Sequence, residues 1–321
     1  HGYEALYSNT TGYSNAANGL YALFSNTSGA QNTANGRDVL YSNTIGNNNT
    51  ANGFEALYWN TAGNTNTADG IQSLYNNTTG NSNSALGYQA LVSNTTGSNN
   101  TGLGTAADVT ANNLTNATAI GYTANVNASN KVRIGNVNVT LIEGQVDWSF
   151  PSDARFKFNV NDATVPGLAF IEKLRPVTYQ FDTRKFDQHL MQNMPDSLQQ
   201  QRLAGQDYSK STALVQTGFL AQEVEQACKD LGFEFSGLHV PESEVDNYGL
   251  AYGSFVPLLV KAVQEQQTEI EKLEIGNSEI ENLKAENAAL KAQLEAEKAA
   301  NAARFDKIAA ALAGAGIVVE K

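Results

Sequence analysis

The feature that most restricts the fold is a seventeen-residue period running through the first third of the chain without an insertion. Glycine recurs at Gly2, Gly19, Gly36 and onward to Gly121, and a second series runs from Gly12 to Gly97. Leucine recurs from Leu6 to Leu91, and asparagine recurs twice per unit, from Asn9 to Asn94 and from Asn15 to Asn100. The unit reads G-x-x-A-L-x-x-N-T-x-G-x-x-N-T-A-N. Seventeen residues are too few for a helix pair, and Gly, Asn and Thr are poor helix formers. A fixed period with no insertions implies rungs of one size, stacked on each other. Two glycines per unit supply the positive φ of tight corners. Asn and Thr side chains bond turn backbones, and in a stack they ladder onto the same residue one rung away. The reading is a stacked β-solenoid.

One leucine per unit buries little apolar surface against the entropy of ordering a whole rung. An aromatic follows it at Tyr7, Phe24, Tyr41, Tyr58 and Tyr75. So thin a core predicts several chains sharing one interior, three being the expected number. After Asn100 the unit decays while Gly104 and Gly121 keep the phase. The stretches Asn116-Ala117-Thr118-Ala119-Ile120-Gly121-Tyr122 and Val132-Arg133-Ile134-Gly135-Asn136 resemble the head repeats of trimeric bacterial adhesins. They predict a cap leading to a strand at 137–142, with Trp148 and Phe150 closing the fibre against the next domain.

Charge divides the chain as sharply as the period does. Residues 1–130 hold six charged side chains (Glu4, Arg37, Asp38, Glu55, Asp69 and Asp108) and 27 asparagines. The net charge is −12 with no basic cluster, which argues against nucleic acid as a partner. No apolar run of about 18 residues is present, so no membrane span is expected. A single cysteine, Cys228, excludes a disulfide scaffold, and three histidines make a metal site unexpected. No cofactor is expected either. The repeat has almost no carboxylates, which argues against a glycosidase, since that chemistry needs a facing pair. The first residue is His1 rather than Met, as expected of a processed form or a fragment.

The chemistry-bearing residues lie past the repeat. Residues 152–157 read S-D-A-R-F-K, placing Ser152 five residues before Lys157. A serine becomes a nucleophile when a base removes its proton, and a desolvated lysine can be that base. Ser-x4-Lys pairs are common, so the surrounding blocks matter. They are Leu174-Arg175-Pro176-Val177-Thr178-Tyr179, then Gly218-Phe219-Leu220-Ala221-Gln222-Glu223-Val224, then Tyr252-Gly253-Ser254-Phe255-Val256-Pro257-Leu258-Leu259.

In this order and spacing the four blocks resemble the C-terminal intramolecular chaperone of endosialidases, phage tail spikes and secreted bacterial fibre proteins, over about 150–275. The resemblance implies a domain that trimerises, helps the upstream β fibre fold and, in many members, cuts itself off. It implies Ser152 as nucleophile, Lys157 as general base and cleavage next to Ser152. Asp153 either orients this pair or caps a turn. Tyr179, Gly218, Gln222, Glu223, Tyr252 and Pro257 belong to the family's structural motif. Phe156 stands where the family usually has Leu. Residues 184–217 form a Gln-rich polar insertion, expected to be a surface loop with a short helical stretch at 190–203. Cys228 reads as a small core residue, and His239 as a loop residue without a metal partner.

The C-terminal stretch is helical, with Pro257 suited to a first turn. Leu259, Val263, Ile270 and Leu273 follow 4-3 spacing with Gln266 in the seam. Ile280, Leu283, Leu290 and Leu294 follow it again around Asn287. The two sets are out of phase at Gly276-Asn277, which predicts a register break or hinge there. Residues 309–321 are Ala- and Gly-rich and weakly specified.

The expected architecture is mixed: a trimeric β-solenoid or β-roll fibre, an α+β intramolecular chaperone domain and a C-terminal trimeric coiled coil. The expected divisions are a repeat over 1–103, a cap and connector over 104–150, the chaperone or autoprotease over 151–257, and the coiled coil and tail over 258–321. The expected function is a structural homotrimeric extracellular fibre, of tail-fibre or surface-filament type, with single-turnover self-cleavage as its only peptidase activity. Its expected partner is itself. The alternative is an adhesin that binds a host or cell-surface glycan or receptor through the repeat surface, with the chaperone kept as a cap.

Overall fold

The structure, a computed structural model, describes residues 1–315; the end of the weakly specified tail, 316–321, lies outside the described residues. The repeat forms a β-solenoid. Each rung contributes one three-residue strand: β1 (Ala16–Asn18), β2 (Thr33–Asn35), β3 (Thr50–Asn52), β4 (Thr67–Asp69), β5 (Ser84–Leu86) and β6 (Thr101–Leu103). Four more come after them: β7 (Asp108–Val109), β8 (Thr118–Ile120), β9 (Asn125–Val126) and β10 (Val132–Ile134). One parallel sheet runs β1-β2-β3-β4-β5-β6-β8-β10, and β7 pairs with β9 on another face. Equivalent repeat residues pair with each other, Ala17 with Ala34 and Ala34 with Ala51.

Most of each rung is corner rather than strand. In the rung from Gly36, Asp38, Leu40 and Asn48 all have left-handed backbones, at φ 58°, 51° and 59°. A non-glycine residue there costs about 1–2 kcal/mol. Hydrogen bonds between rungs offset that cost: Asp38 N–H donates to Leu20 C=O at 2.9 Å, and Leu40 N–H to Ala56 C=O at 3.0 Å. The first glycine series is required. Gly19 has φ 141°, and a Cβ there would sit 2.2 Å from Gly36 O.

The interior is completed within one chain. Leu23, Leu40, Leu57, Leu74 and Leu91 are fully buried, beside Ala34, Ala51 and Ala68. Asparagine supplies the rest. Asn26 Nδ2 donates to Asn9 Oδ1, Asn43 to Asn26, Asn60 to Asn43 and Asn77 to Asn60, at 2.7–2.8 Å. A second ladder runs through Asn32, Asn49, Asn66 and Asn83. Thus the leucine column does not need other chains to cover it. The thin apolar core is supplemented by buried amides whose hydrogen bonds are met by the rungs themselves.

At the end of the solenoid the rung changes. The leucine column reaches Asp108 and then Asn125, and both lie in strands rather than left-handed corners. Strand alternation puts Val109 and Val126 into the interior and turns Asp108 and Asn125 the other way. The expected strand at 137–142 is absent: pairing ends with β10 at Ile134, because no further rung is there to accept it. Trp148 and Phe150 do not close the fibre within this chain, being 83% and 86% exposed.

Beyond the solenoid come α1 (Leu168–Ile171), β11 (Val177–Gln180), α2 (Thr183–Met191), α3 (Asp196–Ala204), α4 (Ser209–Ala213), β12 (Val215–Gly218) and α5 (Ala221–Leu231). The strands β13 (Leu238–His239) and β14 (Gly249–Leu250) and the helix α6 (Val256–Gly314) complete the order. The chain divides into two compact units. One comprises 1–159, 175–226 and 236–250; the other comprises 160–174, 227–235 and the chain from Ala251 on.

Within the first unit, β11 pairs antiparallel with β12, and β13 with β14. The polar insertion is not a surface loop. It forms α2, α3 and α4, which pack against the last solenoid rungs, because its polar residues meet polar partners there. Arg202 of α3 is buried and pairs with the buried Asp108 at 2.9 Å.

Within the second unit, Phe170, Phe233, Phe235 and Phe255 form an aromatic cluster. Gly167 lets α1 approach α6: a Cβ there would lie 2.8 Å from Ala262 N. Leu168 N–H donates to Glu265 Oε2 at 2.7 Å. Cys228 is buried. Pro257 occupies the first turn of α6, and the helix continues through Gly276 and Asn277 without the expected hinge. A lone glycine costs a helix about 1 kcal/mol, too little to interrupt one of this length. No helix among the described residues is long and apolar enough to cross a membrane.

Candidate functional site

Ser152 and Lys157 flank a short 3-10 turn, Ala154–Phe156. The turn folds the segment back so that Lys157 Nζ donates to Ser152 Oγ at 2.7 Å. Asp153 caps the turn, accepting from Arg155 N–H at 2.9 Å, and its carboxylate also pairs with the Arg155 guanidinium. That hydrogen-bonded guanidinium holds the Asp153 carboxyl below its usual range. The carboxylate is thereby directed at Arg155.

The two side chains therefore stand at contact distance, but both remain exposed to water. A lysine acting as base must accept the serine proton as a neutral amine, and removal from water is what favours that form. The apolar side chains available for such cover lie nearby and are themselves uncovered: Trp148, Phe150, Phe156 and Phe158. The single chain thus holds Ser152 and Lys157 together without the dry surroundings that a lysine base would need.

Two other motif blocks are brought together in the first unit. Tyr179 lies in β11 opposite Gln216, and Gly218 of β12 stands opposite Val177. Arg175, just before β11, pairs with Glu223 in the first turn of α5. Glu223 is thus a strut between blocks, while Gln222 beside it is exposed. Tyr252 and Pro257 lie in the second unit, where the Tyr252 ring stacks on Phe255 at 6.0 Å between centroids.

A polar site that no sequence motif marks joins the solenoid end to residues past Ser152. Asp108 accepts from Arg202 and from Ser93 and Val109 N–H. Burial pushes its carboxyl upward, and the guanidinium only partly restores it. Arg202 also donates to Asn125 Oδ1. A signal is present in hindsight: Asp108 is a charge at the leucine position of the repeat. Nearby, Asp246 accepts from Lys131 Nζ at 2.9 Å and lies 2.7 Å from His239 Nε2. His239 is accordingly a β13 residue with an acidic partner rather than an isolated loop residue. Burial alone would raise the Asp246 carboxyl, but Lys131, Asn247 N–H and His239 outweigh it and lower it to about 2.

Comparison with known families places these features. Residues 152–233 match the model of a family described as chaperone of endosialidase. The match opens on Ser152 itself and takes in Lys157, the β11–β12 pair and the Arg175–Glu223 strut. The chain therefore carries an endosialidase-type chaperone segment behind a β-solenoid, a combination that fits a tail-fibre-like structural protein. No curated protein and no solved structure matches the chain.

Proposed function

We propose that the chain is the subunit of a homotrimeric extracellular fibre, of virion-tail or surface-filament type. Its C-terminal part drives trimerisation and folding, then cuts the chain next to Ser152. The observation that carries this reading is the Ser152–Lys157 contact of 2.7 Å, placed where the solenoid has ended and the family match begins. The long helix supports the trimer. Of the 59 residues of α6 only Leu258 and Ala262 are buried, while Leu259, Val263, Leu273, Leu283 and Leu290 present an uncovered seam.

Assembly and chemistry are then coupled. Non-local β stacking is slow and prone to misregister, whereas helices associate quickly. Three α6 helices set the register, and assembly covers the aromatic surroundings of Ser152 and desolvates Lys157. The cut thus reports a finished trimer. Sedimentation of the full Ser152→Ala chain tests the assembly, and comparison of its chain size with wild type tests the cut.

A second reading, a glycan-binding adhesin, is favoured by one feature. An open groove of about 710 Å³ on the solenoid flank is lined by Trp59, Asn76, Thr95 and Asn112, with no charged residue. An exposed indole among neutral amides and hydroxyls suits a neutral sugar. A glycan array probed with the full chain separates the two readings.

A further inference from the structure

The segment C-terminal to Ser152 is fastened to the solenoid by contacts that do not depend on the backbone between them. On the solenoid side stand Asp108, Thr123, Asn125, Asn127, Lys131 and Asn138. The partners come from α3, α4 and the β13–β14 loop. Arg202 reaches Asp108 and Asn125 from α3. Asn138 Nδ2 donates to Gln206 Oε1 at 2.8 Å, Gln206 Nε2 donates to Thr123 Oγ1 at 3.1 Å, and Ser211 Oγ donates to Asn138 Oδ1 at 3.0 Å. Lys131 Nζ donates to Asp246 Oδ1 and to Asn247 Oδ1, and Asn127 donates to Val245 C=O. Arg133 lies over the Phe186 ring of α2 at 5.4 Å.

These contacts are not those of a loosely resting domain. The Arg202 and Asp108 side chains are 5% and 0% exposed, and that of Asp246 is 2% exposed. Separating the two sides would break all of these bonds at once and let water into a face that is dry when joined. The connecting segment 139–150, by contrast, forms no strand or helix and is exposed at its end. It tethers the two sides but does not build the interface.

We infer that a cut next to Ser152 does not release the C-terminal part: the fragment beginning there stays bound non-covalently to the last solenoid rungs and serves as a terminal cap. Its binding partner is the polar face made by Asp108, Asn125 and Lys131 of the same chain. The inference does not depend on self-cleavage, because the cut can be supplied from outside.

The test uses the full chain with Ser152→Ala and a site-specific protease sequence placed at 143–147. After complete cutting, size-exclusion chromatography at neutral pH and physiological salt is expected to carry both fragments in one peak. Separate elution of the two fragments would overturn the inference. Arg202→Met is expected to weaken retention at least tenfold. Because that change leaves a buried carboxylate and could impair folding, Lys131→Ala at the more open edge serves as a second variant. With circular dichroism unchanged before cutting, it is expected to speed fragment dissociation. Retention unchanged in both variants would overturn the assignment to this face.

Discussion

Asn60 is fully buried, yet its side chain has no unmet polar atom. It donates to Asn43 Oδ1 at 2.8 Å and to Gly63 C=O at 3.0 Å, and it accepts from Asn77. Each such bond contributes about 1 kcal/mol net, and an orphaned partner adds its own desolvation cost. Asn60→Ala is expected to destabilise the solenoid by about 3 kcal/mol in denaturant unfolding, far more than an Asn-to-Ala change at an exposed position such as Asn18. A cost under about 1 kcal/mol would mean that the ladder is ornamental. Asp246 gives the pH counterpart. Its carboxyl titrates at about 2 when folded, against an ordinary value of 3.8. Its contribution, about 2 kcal/mol, is present above pH 4 and is lost as pH falls through 2. Asp108, shifted upward by burial, contributes the opposite slope. The comparison of wild type with Asp246→Asn therefore isolates the effect: the variant should lose less stability between pH 4 and 2.

The rung is the unit of this fold, and its length is an element-scale constraint. Deleting 54–70 removes one rung, with strand β4, and leaves every later residue in phase. The shortened chain should still melt cooperatively. Deleting 54–69 shifts all later positions by one, moving leucine and asparagine out of the interior. That chain should misfold or aggregate, and equal behaviour of the two deletions would refute register by period. This part of the fold was legible because the repeat states each constraint many times over: Leu23, Asn26 and Gly19 recur in place. The insertion was legible only in part: a helical stretch at 190–203 was expected and α3 lies there, but its docking was not. Its α3 residues look solvent-bound until Arg202 is set against Asp108, and those two lie 94 positions apart in the chain. The strand expected at 137–142 failed for a related reason, since a strand needs a neighbour and the stack ends at β10. At the site, the Ser152–Lys157 spacing is too common to single the two out by itself, and Asp153 turns to Arg155 for a local reason no spacing rule carries.

At the scale of the whole molecule the chain carries a β-solenoid, an endosialidase-type chaperone segment and a long C-terminal helix. The solenoid closes its interior within one chain, so in the proposed trimer the C-terminal part would bring copies together in register rather than complete a shared core. An uncovered seam on α6, exposed aromatics around Ser152 and a poised but wet Ser–Lys pair are what one copy of such an assembly would present. In the proposed function, assembly completes the site and the chain then cuts itself. The most direct measurement is the intact mass of refolded wild-type chains beside refolded Ser152→Ala chains. Two wild-type fragments are expected, with masses that place the break next to Ser152, and one unbroken chain in the variant. Unbroken chains in both, from protein shown to be trimeric, would contradict the proposed cut.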